Sequence, residues 1–357
     1  MTRTEVRPGS GGAARTALSH LAAGGSGTVF ALLVLIFAVV FTLNPSFAAP
    51  PSMMAFVKQA APLIILAVGQ YFVIVSGELD LSVGSLVGAQ VVLAAALIDG
   101  DPARTVPVLL LMLVFGAAVG LVNGLITTLL KVPSIITTLG TMLVLYGAIR
   151  LWTGGAPTGA LSEGFRTAGR GGIEDVPFIG QIPWALLIVL AVGAGAIALM
   201  RSPYGRTLVA IGDNATAAGF SGARVWRVRT GAFVLSSLLA TLAGILIGGF
   251  AGVTAQVGEG LEFAAITAVV LGGVVLSGGR GTVVAAMAGA LTVEALFTLF
   301  NQLRLPSTIQ PTVQGLIIIA AVAYAAREWT RRTPRPAEPE PARPDPPMEE
   351  PPARGSR

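Results

Sequence analysis

Apolar runs long enough to cross a bilayer recur from one end of this 357-residue chain to the other. A hydrocarbon core of about 30 Å takes roughly 20 helical residues, and about 17 suffice. Within soft edges, the runs that qualify are Gly27–Leu43, Ala60–Ser76, Leu81–Ile98, Val106–Leu130, Ser134–Trp152, Ile182–Met200, Thr230–Phe250, Glu262–Ser277, Thr282–Asn301 and Pro311–Ala326. Backbone in lipid must satisfy its own hydrogen bonds, so such runs fold as helices. The expectation is an all-α polytopic membrane protein of about ten transmembrane helices, with nine or eleven as alternatives because the eighth run is short and opens on an acid.

Charge placement orients these spans. Charged residues make up 11% of the chain, less than half the roughly 25% of a soluble domain. The net charge of +5 would suit a nucleic-acid partner only if it formed one clustered face. Here Lys and Arg lie in the tails and between apolar runs. If both ends are cytoplasmic and the four arginines beyond Arg332 are discounted, cytoplasmic segments hold 13 basic residues against 6 outside. That bias places both ends in the cytoplasm. Ser46-Phe47-Ala48 resembles a signal-peptidase site, yet the preceding apolar stretch exceeds the roughly 7–15 residues of a signal core. The first helix is therefore expected to be retained.

Three regions follow. Residues 1–26 read as a disordered cytoplasmic tail, 27–329 as the transmembrane domain with a cytoplasmic loop at 201–229, and 330–357 as a Pro-rich disordered tail. Val132-Pro133-Ser134-Ile135-Ile136 and Leu305-Pro306-Ser307-Thr308-Ile309 each follow a basic residue and open a span, on opposite sides of the membrane. Acidic, Gly-containing turns follow the second and seventh spans. This is the trace an inverted repeat of spans 2–5 and 7–10 would leave.

Much chemistry is excluded. The only lysines, Lys58 and Lys131, follow Val57 and Leu130 rather than glycine, so no phosphate-binding P-loop is present. His20 is the only histidine and cysteine is absent, which removes His-based triads and Cys or multi-His metal sites. The chain is expected to be no enzyme, with neither cofactor nor metal.

Four features remain as candidate sites. Gly77-Glu78-Leu79-Asp80-Leu81-Ser82-Val83-Gly84-Ser85 puts two acids at a span boundary, either as a solvated turn with Asp80 capping a helix or as irregular backbone lining a wet cavity. The loop Arg201–Arg229 carries Tyr204-Gly205-Arg206 and Gly212-Asp213-Asn214, where Asn214 suits a helix cap. It is either an ordinary positive-inside loop or a helix that docks in a partner's groove. The glycine pairs between Glu262 and Gly281 suit close helix packing. Asn123 and Glu294 sit inside spans, and an intramembrane acid is a functional candidate.

These same residues resemble the ribose-type permease subunits of bacterial ABC sugar importers, from about Phe41 to Glu328. Gly77–Ser85 resembles that family's G-G-I-D-L-S-V-G-S, and Val122-Asn123-Gly124 through Pro133–Gly140 its N-G and P-x-I-x-T-L-G stretches. Gly205-Arg206 with Ala210–Asn214 and Phe220-Ser221-Gly222 resembles its coupling loop, while Glu262, Val270–Gly273 and Gly278–Gly281 resemble its Y-E-L-D…V-V-L-G-G…G-G-x-G stretch. The resemblance implies a pore for a sugar, with cytoplasmic ABC ATPase subunits, an extracytoplasmic sugar-binding protein and a second permease subunit as partners. It implies a substrate pathway at Asp80, Ser82, Asn123, Thr137 and Thr138, to which the intramembrane acid Glu294 is added, and an ATPase contact at Gly205, Arg206, Asn214, Ser221 and Gly222. Two departures stand out. Ala215-Thr216-Ala217 offers no acid where relatives often have Glu-Ala-Ala, and Glu294 and Thr298 replace the more usual Gly and Asn. A permease for branched-chain amino acids or nucleosides is the alternative, and an ion-coupled carrier the more distant one.

Overall fold

The computed structural model describes residues 26–254 and 256–332. Helices dominate: α1 Ser26–Leu43, α2 Pro50–Val75, α3 Val83–Ile98, α4 Thr105–Leu129, α5 Ser134–Thr153, the short α6 Glu163–Arg170, α7 Trp184–Arg201, α8 Pro203–Asp213, α9 Ala215–Phe220, α10 Val225–Ala251, α11 Leu261–Leu271, α12 Val283–Gln302 and α13 Ile309–Arg332. One two-stranded antiparallel hairpin, β1 Gly172–Val176 with β2 Gly180–Pro183, follows α6. The tails expected at 1–26 and 330–357 lie almost wholly outside the described residues, although α13 runs on to Arg332.

Among the described residues, six helices are long and apolar enough to cross a membrane, and four shorter apolar helices occupy the remaining runs. The helix α11 is the shortest of these. Its 11 residues span about 16 Å at 1.5 Å per residue, roughly half a hydrocarbon core. The expected eighth run ends early because Gly272 and Gly273 leave the helix, Gly273 with φ 83°. The chain then continues irregularly to Thr282.

The molecule is built around two long helices, α2 and α10, which pack against each other. Around them the contacts come in matched pairs. The helix α4 lies on α10 as α12 lies on α2; α3 lies on α10 as α11 lies on α2; and α5 meets α3 as α13 meets α11. Lys131 and Arg304, the basic residues ahead of the two Pro-led segments, are both left-handed, with φ 55° and 56°. Residues 76–78, 131–133, 203–224 and 273–281 gather at one end of the bundle; the other end carries 44–52, 99–104, α6 and the hairpin. There α6 closes over the end of α10, with Gly169 against Leu246 and Gly249.

Association of apolar helices in lipid gains from dispersion and close backbone approach, which small residues permit. The stripe Gly116, Gly120 and Gly124 on α4 supplies it against α10. A Cβ at Gly120 would fall 2.6 Å from the Phe233 carbonyl oxygen and 2.7 Å from the Val234 Cα, and one at Gly124 2.7 Å from the Thr230 Cα. A larger side chain must push the helices apart. Gly120→Leu is expected to destabilise the fold by about 1–3 kcal/mol, seen as a lower thermal midpoint in detergent. The same change at Gly147 on α5, where a Cβ meets nothing within 4 Å, should leave the midpoint unchanged.

Candidate functional site

Between α2 and α3 the chain is not helical. Gly77, at φ 85°, turns it back into the bundle, and residues 78–82 run irregularly to the start of α3. Asp80 and Ser82 are fully buried. Unwound backbone at this depth must find partners in protein, because lipid offers none, and side chains provide them. Leu79 N–H donates to Ser134 Oγ at 3.1 Å, and Leu81 N–H to Thr138 Oγ1 at 3.0 Å. The Gln70 amide on α2, oriented to satisfy both groups, donates to the Asp80 carbonyl at 3.1 Å and accepts its N–H at 3.3 Å.

The Asp80 carboxylate is the hub. One oxygen accepts the Ser82 N–H at 3.0 Å and the Ser82 hydroxyl at 2.6 Å, while the other accepts the Ser236 hydroxyl of α10 at 3.0 Å. Asp80 thus closes a local turn and ties it to α10; it does not cap α3. Asn123 of α4 donates to Ser82 Oγ at 2.9 Å and accepts from the Thr141 hydroxyl of α5 at 2.6 Å. Four of the expected pathway residues, Asp80, Ser82, Asn123 and Thr138, therefore join one polar network that unites α2, α4, α5 and α10. Thr137 lies on the adjoining turn of α5, its carbonyl accepting the Thr141 hydroxyl at 3.1 Å.

Glu294 is not part of it. It lies on α12, 8% exposed, and accepts from the Gln59 amide at 2.7 Å. Gln59 borders a separate cavity of about 450 Å³ with Phe56, Thr298 and Asn301.

The second discontinuity mirrors the first. After α10, residues 252–254 and 256–260 are irregular, with Gly258 and Gly260 at φ 90° and 83°, and they press on the start of α3. The Gly258 backbone meets Gly84 and Gly88, and the Glu262 carboxyl lies where a Cβ at Gly84 would be. Glu262 is 4% exposed. One carboxyl oxygen of Glu262 and the Tyr146 hydroxyl are buried without hydrogen-bond partners among the described residues.

The expected ATPase-contact residues gather at the bundle end that carries α8 and α9. Asn214 Oδ1 accepts the Ala217 N–H at 2.9 Å and so caps α9, as its position suggested. Gly205 packs on the Met200 backbone, Gly222 has φ 89°, Ser221 Oγ donates to the Ala217 carbonyl at 3.1 Å, and Arg206 donates to the Arg201 carbonyl at 3.0 Å. The platform is braced from within. Gly212 abuts the Val75 carbonyl and Gly279, Gly279 N–H donates to the Val75 carbonyl at 2.9 Å, and Gly278 sits on Gly77. Tyr204, whose phenol burial pushes up and keeps protonated, donates to the Val228 carbonyl at 3.0 Å. Arg229 binds Glu78 at 2.7 Å and the Ser76 carbonyl at 3.2 Å. One patch of backbone thus joins the start of the Asp80 segment and the irregular residues 273–281 to α8. On its outer side Phe220 is 90% exposed.

Thr141, Ser236 and Gln70 were not singled out from the sequence, and Ser134 stood there only as part of the Pro-led segment. Gln70 and Ser236 did stand as polar residues inside apolar runs, the one signal that marks them. Asp80→Ala would leave the Ser82 N–H and two hydroxyls without their acceptor in the buried interior. A loss of about 1–3 kcal/mol per orphaned group is expected, read as a lower thermal midpoint in detergent. Ser236→Ala should cost about 1 kcal/mol in the parent and much less beside Asp80→Ala, because the bond is already gone.

Comparison with known proteins adds the family. Residues 52–322 match the family model described as branched-chain amino acid transport system / permease component. The ribose import permease protein RbsC of Bacillus subtilis is 38% identical over 302 residues, covering 83% of this chain and 91% of that protein. The autoinducer 2 import system permease protein LsrC of Enterobacter sp. is 34% identical over 303 residues, 84% of this chain and 86% of that protein. LsrC of Escherichia coli K12 is 32% identical over 304 residues, covering 84% and 86%. No solved structure matches. The matched segment spans every helix from α2 to α12 and carries all the motifs that suggested a resemblance, so the chain belongs to this family of membrane-embedded permease components of bacterial ABC importers.

Proposed function

We propose that this chain is the pore-forming permease subunit of an ABC importer for a sugar or sugar-like solute, powered by separate ATPase subunits. The observation that carries the reading is the brace at α8. Force applied to α8 and α9 has a backbone route, through Gly212 and Gly279, to the start of the Asp80 segment and to residues 273–281, which follow the helix that Glu262 opens. A soluble motor acting on this end would move the Asp80 segment and the Glu262 segment together.

On this reading α8 and α9 face the cytoplasm, as do both chain ends, and Gly205, Arg206, Asn214, Ser221 and Gly222 lie at the ATPase contact. Phe220 joins them as the apolar anchor, the kind of side chain that dominates interface energies. The departure at Ala215-Thr216-Ala217, which lacks an acid for an ATPase arginine, shifts that contact from charge to packing. The opposite end, with α6 and the hairpin, receives an extracytoplasmic binding protein, and a second permease subunit completes the pore. Ten helices crossing the membrane in an inverted repeat account for the paired contacts around α2 and α10. Asp80, Ser82, Asn123, Thr137 and Thr138 form the wall that rearranges as the passage opens, and Glu294 is a separate polar point along it.

Sugar is favoured over amino acid by the two relatives whose names specify ribose and autoinducer 2 import; the family model's description favours branched-chain amino acids as the second reading. Co-reconstitution with the ATPase and binding protein from the same organism separates them: labelled ribose or a related monosaccharide should accumulate with ATP and leucine should not. Uptake that survives ATP depletion and collapses with the proton gradient would contradict the whole scheme. Phe220→Ala should weaken ATPase binding about tenfold, the effect of losing one interface anchor, with the thermal midpoint of the isolated permease unchanged.

A further inference from the structure

At the bundle end that carries α8 lies a cavity of about 670 Å³, lined by the last turn of α4, the Lys131–Pro133 turn and the start of α10. Three cations face it, Lys131, Arg224 and Arg229, against a single carboxylate, Glu78. That carboxylate is taken, since Arg229 holds it at 2.7 Å. Among the described residues Lys131 and Arg224 have no ion-pair partner. Two positive charges are thus held uncompensated around a concave site, and Lys131 is fixed there by a left-handed backbone, φ 55°. The Thr127 hydroxyl, on a wall residue only 7% exposed, also lacks a hydrogen-bond partner.

The rim is apolar. Leu129, Leu130, Ile135 and Ile136 are exposed beside the cavity, and Trp226 lines it with Arg227 stacked 5.1 Å from its ring centre. Tryptophan prefers the depth of the headgroups. Two free cations and an indole surround the mouth, with the buried Thr127 hydroxyl in the wall, and aliphatic side chains continue along the helices. This matches a molecule with an anionic phosphodiester at one end and hydrocarbon at the other. Basic pockets between membrane helices bind such headgroups.

We propose that this cavity is a binding site for the headgroup of an anionic phospholipid, with Lys131 and Arg224 on the phosphate, Thr127 as a hydroxyl partner and the acyl chains lying over Leu129, Leu130 and Ile136. The site depends only on the chain's being in a membrane and not on the solute it carries. A lipid here bridges the α4–α5 turn and the start of α10, beside the Glu78–Arg229 pair.

The test uses the full chain, delipidated in neutral detergent. Phosphatidylglycerol or phosphatidylcholine is added back, and bound lipid is counted by native mass spectrometry. The parent should retain phosphatidylglycerol in preference to phosphatidylcholine. Each neutralised charge should weaken retention about fivefold, so K131Q and R224Q each lose part of it and the double variant nearly all. The charge-preserving K131R/R224K variant should keep it, which separates lost charge from lost fold. Quenching of Trp226 by brominated phosphatidylglycerol, measured against W226F, should follow the same order. Equal retention of both lipids, or unchanged retention in K131Q/R224Q, would overturn the proposal. So would displacement of the lipid by excess inorganic phosphate, since the site would then serve a free anion.

Discussion

The demand that every buried backbone N–H and C=O find a partner shapes this molecule more than any other. In lipid each unmet group costs several kcal/mol, so a chain that leaves the helix in mid-bundle must bring replacements. Here the replacements are side chains. Ser134, Thr138 and Gln70 serve the backbone of residues 79–81, and Asp80 serves Ser82 while reaching α10 through Ser236. The helix partners of this one irregular segment are α2, α4, α5 and α10, so its geometry fixes theirs.

The same logic accounts for the distribution of small residues. The irregular segments meet their neighbours backbone to backbone: Gly84 and Gly88 of α3 against Gly258 in the interior, and Gly77 against Gly278 at the bundle end that carries α8. Any side chain at these places would separate the strands that must touch. Glycine here is required by approach, and at Gly77, Gly258 and Gly278 by positive φ as well. The resulting column runs from Glu262 in the interior to Gly212 on the outer platform. On the proposed function, force from a partner ATPase would follow this column, because packed interiors switch between discrete arrangements and do not deform smoothly.

Much of this was readable in the residues. The ten apolar runs each became a helix, Asn214 caps α9, and the two Pro-led segments lie at opposite ends with the same left-handed basic residue before them. The Asp80 stretch announced itself because acids and serines interrupt an apolar chain. What remained hidden depends on neighbours distant in sequence. Nothing local says that Ser236 will face Asp80, 156 residues away, or that Glu294 will stand apart with Gln59. The α4 glycine stripe was overlooked because its four-residue spacing lies inside a run already explained as a span. The helix α6 and its hairpin were missed because they carry no membrane-length signal, and α11 was overestimated because apolar character continues past Gly272 where helical geometry does not.

Hydrogen–deuterium exchange in nanodiscs tests the central claim most directly, because it reads the amides of residues 79–82 themselves. If side chains hold that unwound backbone, Leu79, Leu81 and Ser82 should exchange as slowly as the flanking helices in the resting protein and faster when the ATPase turns over. Exchange at the rate of a solvated turn in the resting state would contradict the account.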